Sequence, residues 1–375
     1  MRVLFTCAPA SGHFHPLVPF ARALADAGHE VAFATPAFFA PAMEGAGFRH
    51  FPAGLEQSFL EVYPQMRTMP GSERTAFARR EGFADLYPQH LIPDLLALAT
   101  TWPPDLIVRE ENAYGGCIAA ERLGLPHVSV DIAAAGDPPG SDELIAAPLN
   151  RHRVAHGLAP DPELAMLHRY LTLHPFPPTF HDPTIPFPLT MHCVRPMPED
   201  RSGAEGLPGW VMSLPDRPVV SVGLGTVFNK PEVFRAFIAG LRDEALTLVV
   251  TVGRKQDPAE YGPQPENVHI ERYIPLSLLL PYCDLAVTNG GSGTLMAALG
   301  QGLPVVVVPI AADQPENAAR CMALGLGRVV TPAELTPESA RQAVLDVLGD
   351  PSYLRNAERL RDEMATLPGP EYAVE

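Results

Sequence analysis

The run Asn289-Gly290-Gly291-Ser292-Gly293-Thr294 has the residue types of an anion site. Glycines let backbone N–H groups approach a bound group closely, and a helix starting at the turn adds partial positive charge. The apolar residues Leu285, Ala286 and Val287 precede it, and an Ala- and Leu-rich stretch, 295–301, follows and stops at Gly302. That order predicts strand, turn, helix. A phosphate held by the amides of Gly291, Ser292, Gly293 and Thr294 is one reading, and an ordinary tight turn is the other. A second apolar run, 305–309, leads to Asp313 and Gln314. Ligands of open α/β sheets sit beyond the carboxyl ends of the strands, which brings this pair to the same crevice. A carboxylate beside an amide suits sugar hydroxyls, so turn and pair together point to a nucleotide-sugar.

A second set lies near the N-terminus. Gly12-His13-Phe14-His15-Pro16 follows the apolar run 3–7. An imidazole at the mouth of a sheet can act as a general base near neutral pH, although a loop histidine without a chemical task fits the same residues. Residues 103–111 read as a buried strand ending in Glu110 and Glu111. A carboxylate beside an imidazole orients it and stabilises its protonated form. The alternative is a solvated acidic loop.

The elements that must position these groups alternate. Strand 3–7, helix 17–27 and strand 30–35 form a βαβ unit, which implies a parallel sheet. Residues 196–218 are rich in Pro, Gly and charge and read as a linker, after which strand 219–223 restarts the rhythm. The expected architecture is α/β: two Rossmann-like domains whose parallel sheets face each other across a cleft. Residues 1–200 would bind an acceptor, 201–217 connect, 218–355 bind the nucleotide-sugar, and 356–375 return towards the first domain. Segments 54–98 and 132–187 break the rhythm and read as irregular. Their aromatic and methionine side chains suit an apolar pocket or a cap on the core.

Bulk properties narrow the partners. A length of 375 residues suits two domains. Forty-three acidic against 27 basic residues give a net charge of −16, which argues against nucleic acid or an anionic membrane. Five scattered cysteines without CxxC spacing suit a reducing, cytoplasmic setting. HExxH and Asp-x-Asp are missing from the sequence, so no metal site is expected. No apolar run approaches the roughly 20 residues of a membrane span.

The C-terminal stretch resembles the donor-binding signature of GT-B glycosyltransferases of family 1, in the bacterial branch acting on macrolides, enediynes and polyketides. That pattern is His-Gly-Gly-x-Gly-Thr, Gly-x-Pro, then Asp-Gln-x-x-Asn-Ala-x-Arg. Gly290, Gly291, Gly293, Thr294, Gly302, Pro304, Asp313, Gln314, Asn317, Ala318 and Arg320 are in register with it. Asn289 stands where the family has a histidine on the donor diphosphate. An asparagine amide still donates a hydrogen bond but carries no charge.

The resemblance implies metal-independent, inverting transfer from a nucleoside-diphosphate sugar, a co-substrate in place of a cofactor, to a hydroxyl of a small lipophilic acceptor. His13 becomes the base and Glu110 its partner, with His15 and Glu111 as substitutes. Gly225 and Thr226 face the phosphates, Arg254 reaches the base or diphosphate, and Tyr273 and Ile274 pack the nucleobase. Phe14, Phe59, Met66, Phe83 and Ile132 line the acceptor side. Ala297 replaces a glutamate that reads ribose hydroxyls in plant relatives, which favours dTDP- over UDP-linked donors. A monomer or homodimer is expected. A nucleotide-sugar 2-epimerase and a non-catalytic helper protein of the same fold are the rival readings.

Overall fold

The computed structural model describes residues 1–200, 206–225 and 230–375. Thirteen strands are described: β1 (Arg2–Thr6), β2 (Glu30–Thr35), β3 (Arg49–Pro52), β4 (Leu106–Glu110), β5 (His127–Val130), β6 (Leu171–His174), β7 (Met191–Cys193), β8 (Val219–Gly223), β9 (Thr247–Thr251), β10 (Val268–Glu271), β11 (Leu285–Thr288), β12 (Val305–Val307) and β13 (Gly327–Val329). They make two parallel sheets, ordered β3-β2-β1-β4-β5-β6-β7 and β10-β9-β8-β11-β12-β13. The central strands are buried along nearly their whole length, as β8, β9, β11 and β12 illustrate. Helices cover both faces, so these strands read as continuous apolar runs instead of alternating ones.

In each sheet the chain winds outward, returns to the middle and winds the other way. Strand order reverses between β1 and β4 in the first sheet and between β8 and β11 in the second. Diverging crossovers leave a crevice at such a point, beyond the carboxyl ends of the strands. His13 and Glu110 follow β1 and end β4, while Gly225 and the glycine run 290–293 follow β8 and β11. The fold thus puts each predicted set at a switch point.

The segment 54–98 is not irregular. Short turns at Phe59–Val62 and Pro64–Arg67 lead to an unbroken helical rod made of Gly71–Phe77, a π-helical stretch Ala78–Leu86 and the helix Tyr87–Thr101. Segment 132–187 likewise contains the helix Ser141–Ala155 and strand β6. In the linker, Trp210 lies flat on His269, with ring centroids 4.0 Å apart and planes 8° apart, pinning it to edge strand β10. The helix Pro351–Thr366 packs Ala357, Leu360 and Met364 into the second domain. The chain then crosses back. Arg195 N–H donates to Pro368 O at 2.8 Å, and Ala373 and Val374 pack against the core of the first domain.

No helix among the described residues is long and apolar enough to cross a membrane.

Candidate active site

Parallel pairing of β1 with β4, Thr6 opposite Arg109, brings the two carboxyl ends level. One helical turn, Ser11–Phe14, follows β1 and carries His13 over the end of β4. Glu110 is fully buried. Its Oε1 accepts from Ala8 N–H at 3.2 Å and its Oε2 from Asn112 N–H at 2.7 Å. His13 Nδ1 lies 3.1 Å from Oε1, off the line of a directed hydrogen bond. Two backbone amides therefore fix the carboxylate, and the imidazole rests against it with 19% of its side chain exposed. A carboxylate so held is placed to orient an imidazole beside it.

The two substitutes lie elsewhere. Glu111 Oε2 accepts from Ile132 N–H at 2.9 Å and Ala133 N–H at 3.4 Å. Burial, reinforced by Asp137 and Asp131, holds its pKa well above the usual carboxylate range. His15 stands on the next turn, where burial lowers its pKa against an opposing pull from Asp200.

Sequence reasoning passed over Arg109, the residue before Glu110. It is 1% exposed and donates to the carbonyls of Glu110, Glu111 and Leu167 at 3.3, 2.6 and 3.0 Å. It thereby fixes the backbone on which both glutamates stand.

At the second switch point the turn behaves partly as expected. Gly290 has φ +83°, and a Cβ there would fall 2.7 Å from Val307 Cγ1, so glycine is required. The helix Ser292–Leu299 starts at the turn. Two of the four expected amides are already engaged. Gly291 N–H donates to Asn289 Oδ1 at 3.1 Å, and Ser292 N–H lies 3.3 Å from Asp313 Oδ2. Gly293 and Thr294 supply first-turn N–H groups, which have no intrahelical acceptor, and no atom crowds the space where a Gly293 Cβ would stand. Gly225, at φ +70°, faces this helix start, since a Cβ there would be 3.5 Å from Thr294 Oγ1. Thr226 lies outside the described residues.

Asp313 is held in a compact net. Its Oδ2 accepts from Ser292 Oγ at 2.6 Å and from Asn317 Nδ2 at 2.9 Å. Burial raises its pKa despite these bonds. Gln314 is 2% exposed, and its Oε1 accepts from Ile310 and Ala311 N–H at 2.7 and 2.9 Å. Its carbonyl end is thus a backbone cap. Arg254 lays its guanidinium 3.8 Å from the centre of the Tyr273 ring. The side chain of Ile274 is 1% exposed in the core. Asp200 accepts from Ser277 N–H and Oγ–H at 2.7 and 2.8 Å. Ala297 sits one turn beyond Gly293 on the same helix face.

On the acceptor side the expectations divide. Phe14 does not reach the cleft. The first helical turn points it into the core, where it is 3% exposed and meets Phe33 and Phe39 edge-on. Phe83 does reach it, with its ring 5.4 Å from that of His13. Phe59 packs on Phe83 at 4.9 Å and on Tyr87 at 4.2 Å. Met66 is 5% exposed. Ile132 is half-buried on the segment tied to Glu111. The sequence reading missed a small apolar crevice, with room for only about 20 Å³, between the carboxyl ends of the first strands and the rod. Cys7, Ala8, Leu55, Tyr87, Leu91 and Gly115 are among its walls. No single residue type marks it, because it forms only where the rod crosses the sheet.

The domains touch through the donor segment itself. Ala134 N–H donates to Ser292 Oγ at 2.9 Å and Ala135 N–H to Asn317 Oδ1 at 3.2 Å. Arg320 reaches back to the carbonyls of Phe180 and Thr179 at 3.0 and 2.9 Å. Both sheets thus present their carboxyl ends to one cleft. Among the described residues, no three His, Cys, Asp or Glu side chains gather to hold a metal ion.

Comparison with known proteins gives one answer along the chain. Residues 22–225 match the N-terminal domain, and residues 237–375 the C-terminal domain, of the erythromycin biosynthesis protein CIII-like family. The 4'-demethylrebeccamycin synthase of Lentzea aerocolonigenes is 31% identical over 97% of this chain and 96% of its own length. Tylactone mycaminosyltransferase of Streptomyces fradiae is 30% identical over 99% of this chain and 90% of its own. The crystal structure of the Streptomyces sp. SF2575 glycosyltransferase SsfS6, complexed with thymidine diphosphate, superposes with a TM-score of 0.81 at 29% identity, covering 100% of this chain and 98% of that one. The chain belongs to the erythromycin biosynthesis protein CIII-like family and is a GT-B glycosyltransferase of the macrolide and polyketide type, from the antibiotic-biosynthesis branch.

Proposed function

We propose that the protein transfers a sugar, with inversion, from a nucleoside-diphosphate donor to a hydroxyl of a lipophilic acceptor. The observation that carries this is the His13–Glu110 pair at one switch point, facing the same cleft as the glycine turn and Asp313 at the other. His13, oriented by Glu110, takes the acceptor proton as the acceptor oxygen attacks the anomeric carbon. The bond from that carbon to the diphosphate breaks on the opposite face, and the leaving diphosphate carries the electron pair away. The Gly293 and Thr294 amides and the helix start receive its charge, a grip that uses no metal ion. Asp313 accepts from a sugar hydroxyl. Tyr273, with Arg254 stacked on it, and the Ile274 backbone form the base platform.

The acceptor lays its apolar face along Phe83 and Phe59, beside the His13 ring. Ala297 in place of a ribose-reading carboxylate favours a dTDP-linked donor.

The test pairs binding with transfer. Thermal shifts are read with dTDP and UDP, for the wild type and for His13→Ala. A ligand at about 100 times its Kd adds about 2.7 kcal/mol of stability. We expect a larger shift with dTDP and the same shift in the variant, whose transfer to hydroxyl acceptors falls about 10²–10⁴-fold. No shift with either nucleotide in the wild type would sink the donor reading. Full transfer by His13→Ala would remove the histidine from its role.

A further inference from the structure

Asn289 directly follows β11 at the point where strand order reverses, and it is 4% exposed. Both ends of its side-chain amide are spent inside the protein. Nδ2 donates to Leu224 O at 2.8 Å, across the switch point on the loop after β8. Oδ1 accepts from Gly291 N–H at 3.1 Å, two residues ahead in its own turn. One short side chain therefore ties the two glycine turns together. A Cβ on Gly225 would lie 3.8 and 3.9 Å from those same two amide atoms and 3.5 Å from Thr294 Oγ1, so the bridge sits directly beneath the place where the turns face each other.

We propose that Asn289 is a positioning residue of the donor site: a neutral brace that sets the spacing of the two turns and directs the diphosphate to Gly293 and Thr294. The proposal rests on the nucleotide-sugar reading and assigns a role within it. Gly291 N–H, bonded to the brace, is closed to an anion. Ser292 N–H points at the Asp313 carboxylate, and a phosphate there would meet like charge. The next two amides, of Gly293 and Thr294, have no intrahelical acceptor, and no atom crowds the Cβ position of Gly293. Asparagine suits this task because one amide supplies a donor and an acceptor about opposite each other. Aspartate has no proton for the Leu224 carbonyl, and alanine reaches neither partner.

The experiment is calorimetric titration of dTDP, UDP and thymidine, which lacks phosphate, into the full-length wild type and into Asn289→Ala, Asn289→Asp and Asn289→His. With the brace lost, Asn289→Ala should bind the nucleoside diphosphate about ten- to hundredfold more weakly, the effect of two missing hydrogen bonds. Its thymidine affinity should stay within twofold, because the base platform lies on another loop. Asn289→Asp should be weaker still, since it adds negative charge beside the anion. Asn289→His should not tighten the diphosphate, because the ring displaces the brace. That variant still decides the matter if Asn289→Ala fails to fold.

Unchanged diphosphate affinity in Asn289→Ala would overturn the brace. So would equal losses for thymidine and dTDP, or tenfold tighter binding by Asn289→His, which would make residue 289 a direct phosphate contact. A wild type that binds neither diphosphate would instead overturn the nucleotide-sugar reading itself.

Discussion

Replacing Glu110 by glutamine changes one atom in a fully buried site, and the geometry says what that atom does. Two backbone N–H groups, from Ala8 and Asn112, donate to the two carboxylate oxygens, and His13 Nδ1 lies against Oε1. A glutamine has one acceptor oxygen to share between them. The shorter bond, 2.7 Å from Asn112, keeps the oxygen. The new NH₂ group then faces Ala8 N–H, donor against donor, and His13 Nδ1. It donates to Nδ1 and so drives the imidazole proton to Nε2, the nitrogen turned to the acceptor. A ring with that tautomer cannot take a proton there, and the carboxylate that would stabilise the imidazolium is gone. Turnover should fall about 10³-fold, while dTDP binding, made in the other domain, is unchanged. Loss of a hydrogen bond to a charged acceptor should also remove about 1.5–3 kcal/mol of stability. The assay is transfer under saturating donor, with thermal unfolding alongside. Glu111→Gln is the control. Burial already shifts its carboxyl towards the protonated form, and its oxygen can still accept from Ile132, so the variant should keep more than a tenth of the activity. Equal losses in the two variants, or more than a tenth of the activity left in Glu110→Gln, would refute the assignment of the dyad.

Two further changes separate function from stability. Burial raises the Asp313 pKa above its unfolded value. Its contribution to stability is therefore full below the unfolded value, near 3.9, and is lost as pH rises through the folded one. Asp313→Asn cannot ionise, so its Tm should exceed that of the wild type at pH 7.5, with the gain shrinking towards pH 4, while transfer is lost. A lower Tm at pH 7.5 would show that the carboxylate stabilises its net. Gly82, in the π-helical stretch, packs under Phe59, and an added Cβ would lie 2.5 Å from the ring. Gly82→Ala should displace Phe59, cost about 1–3 kcal/mol and raise KM for the acceptor more than for the donor. An unchanged acceptor KM would take Phe59 out of the acceptor wall.

Most of the strand framework was legible because parallel strands covered on both faces announce themselves as unbroken apolar runs. The glycine turns were legible because only glycine tolerates the approach that Gly290 makes to Val307. The rod Gly71–Thr101 was hidden by its own residues. Gly82, Pro88 and Pro93 all argue for breaks, yet Pro88 comes just after the widened turn, where the regular hydrogen-bond ladder is already displaced. Phe14 was misread because an aromatic residue beside a candidate base looks like a substrate contact. The direction of one helical turn, which no spacing rule fixed, sends it to the core.

The choice between Glu110 and Glu111 needed register. Both follow the same apolar run, and only the ladder separates them. With Thr6 opposite Arg109, Glu110 closes the strand on the β1 side, while Glu111 N–H donates to Val130 O and its carboxylate turns to Ile132. Asn289 shows the complementary limit. Its amide chemistry was readable from sequence, but its partner, Leu224 O, lies 65 positions away and becomes a neighbour only because β8 and β11 are adjacent. Residue type thus told which groups could do chemistry, and the strand order told which of them meet. In this fold the meeting places are the two switch points, so a substitution that shifts register at β1–β4 or β8–β11 would cost activity even with every named side chain retained.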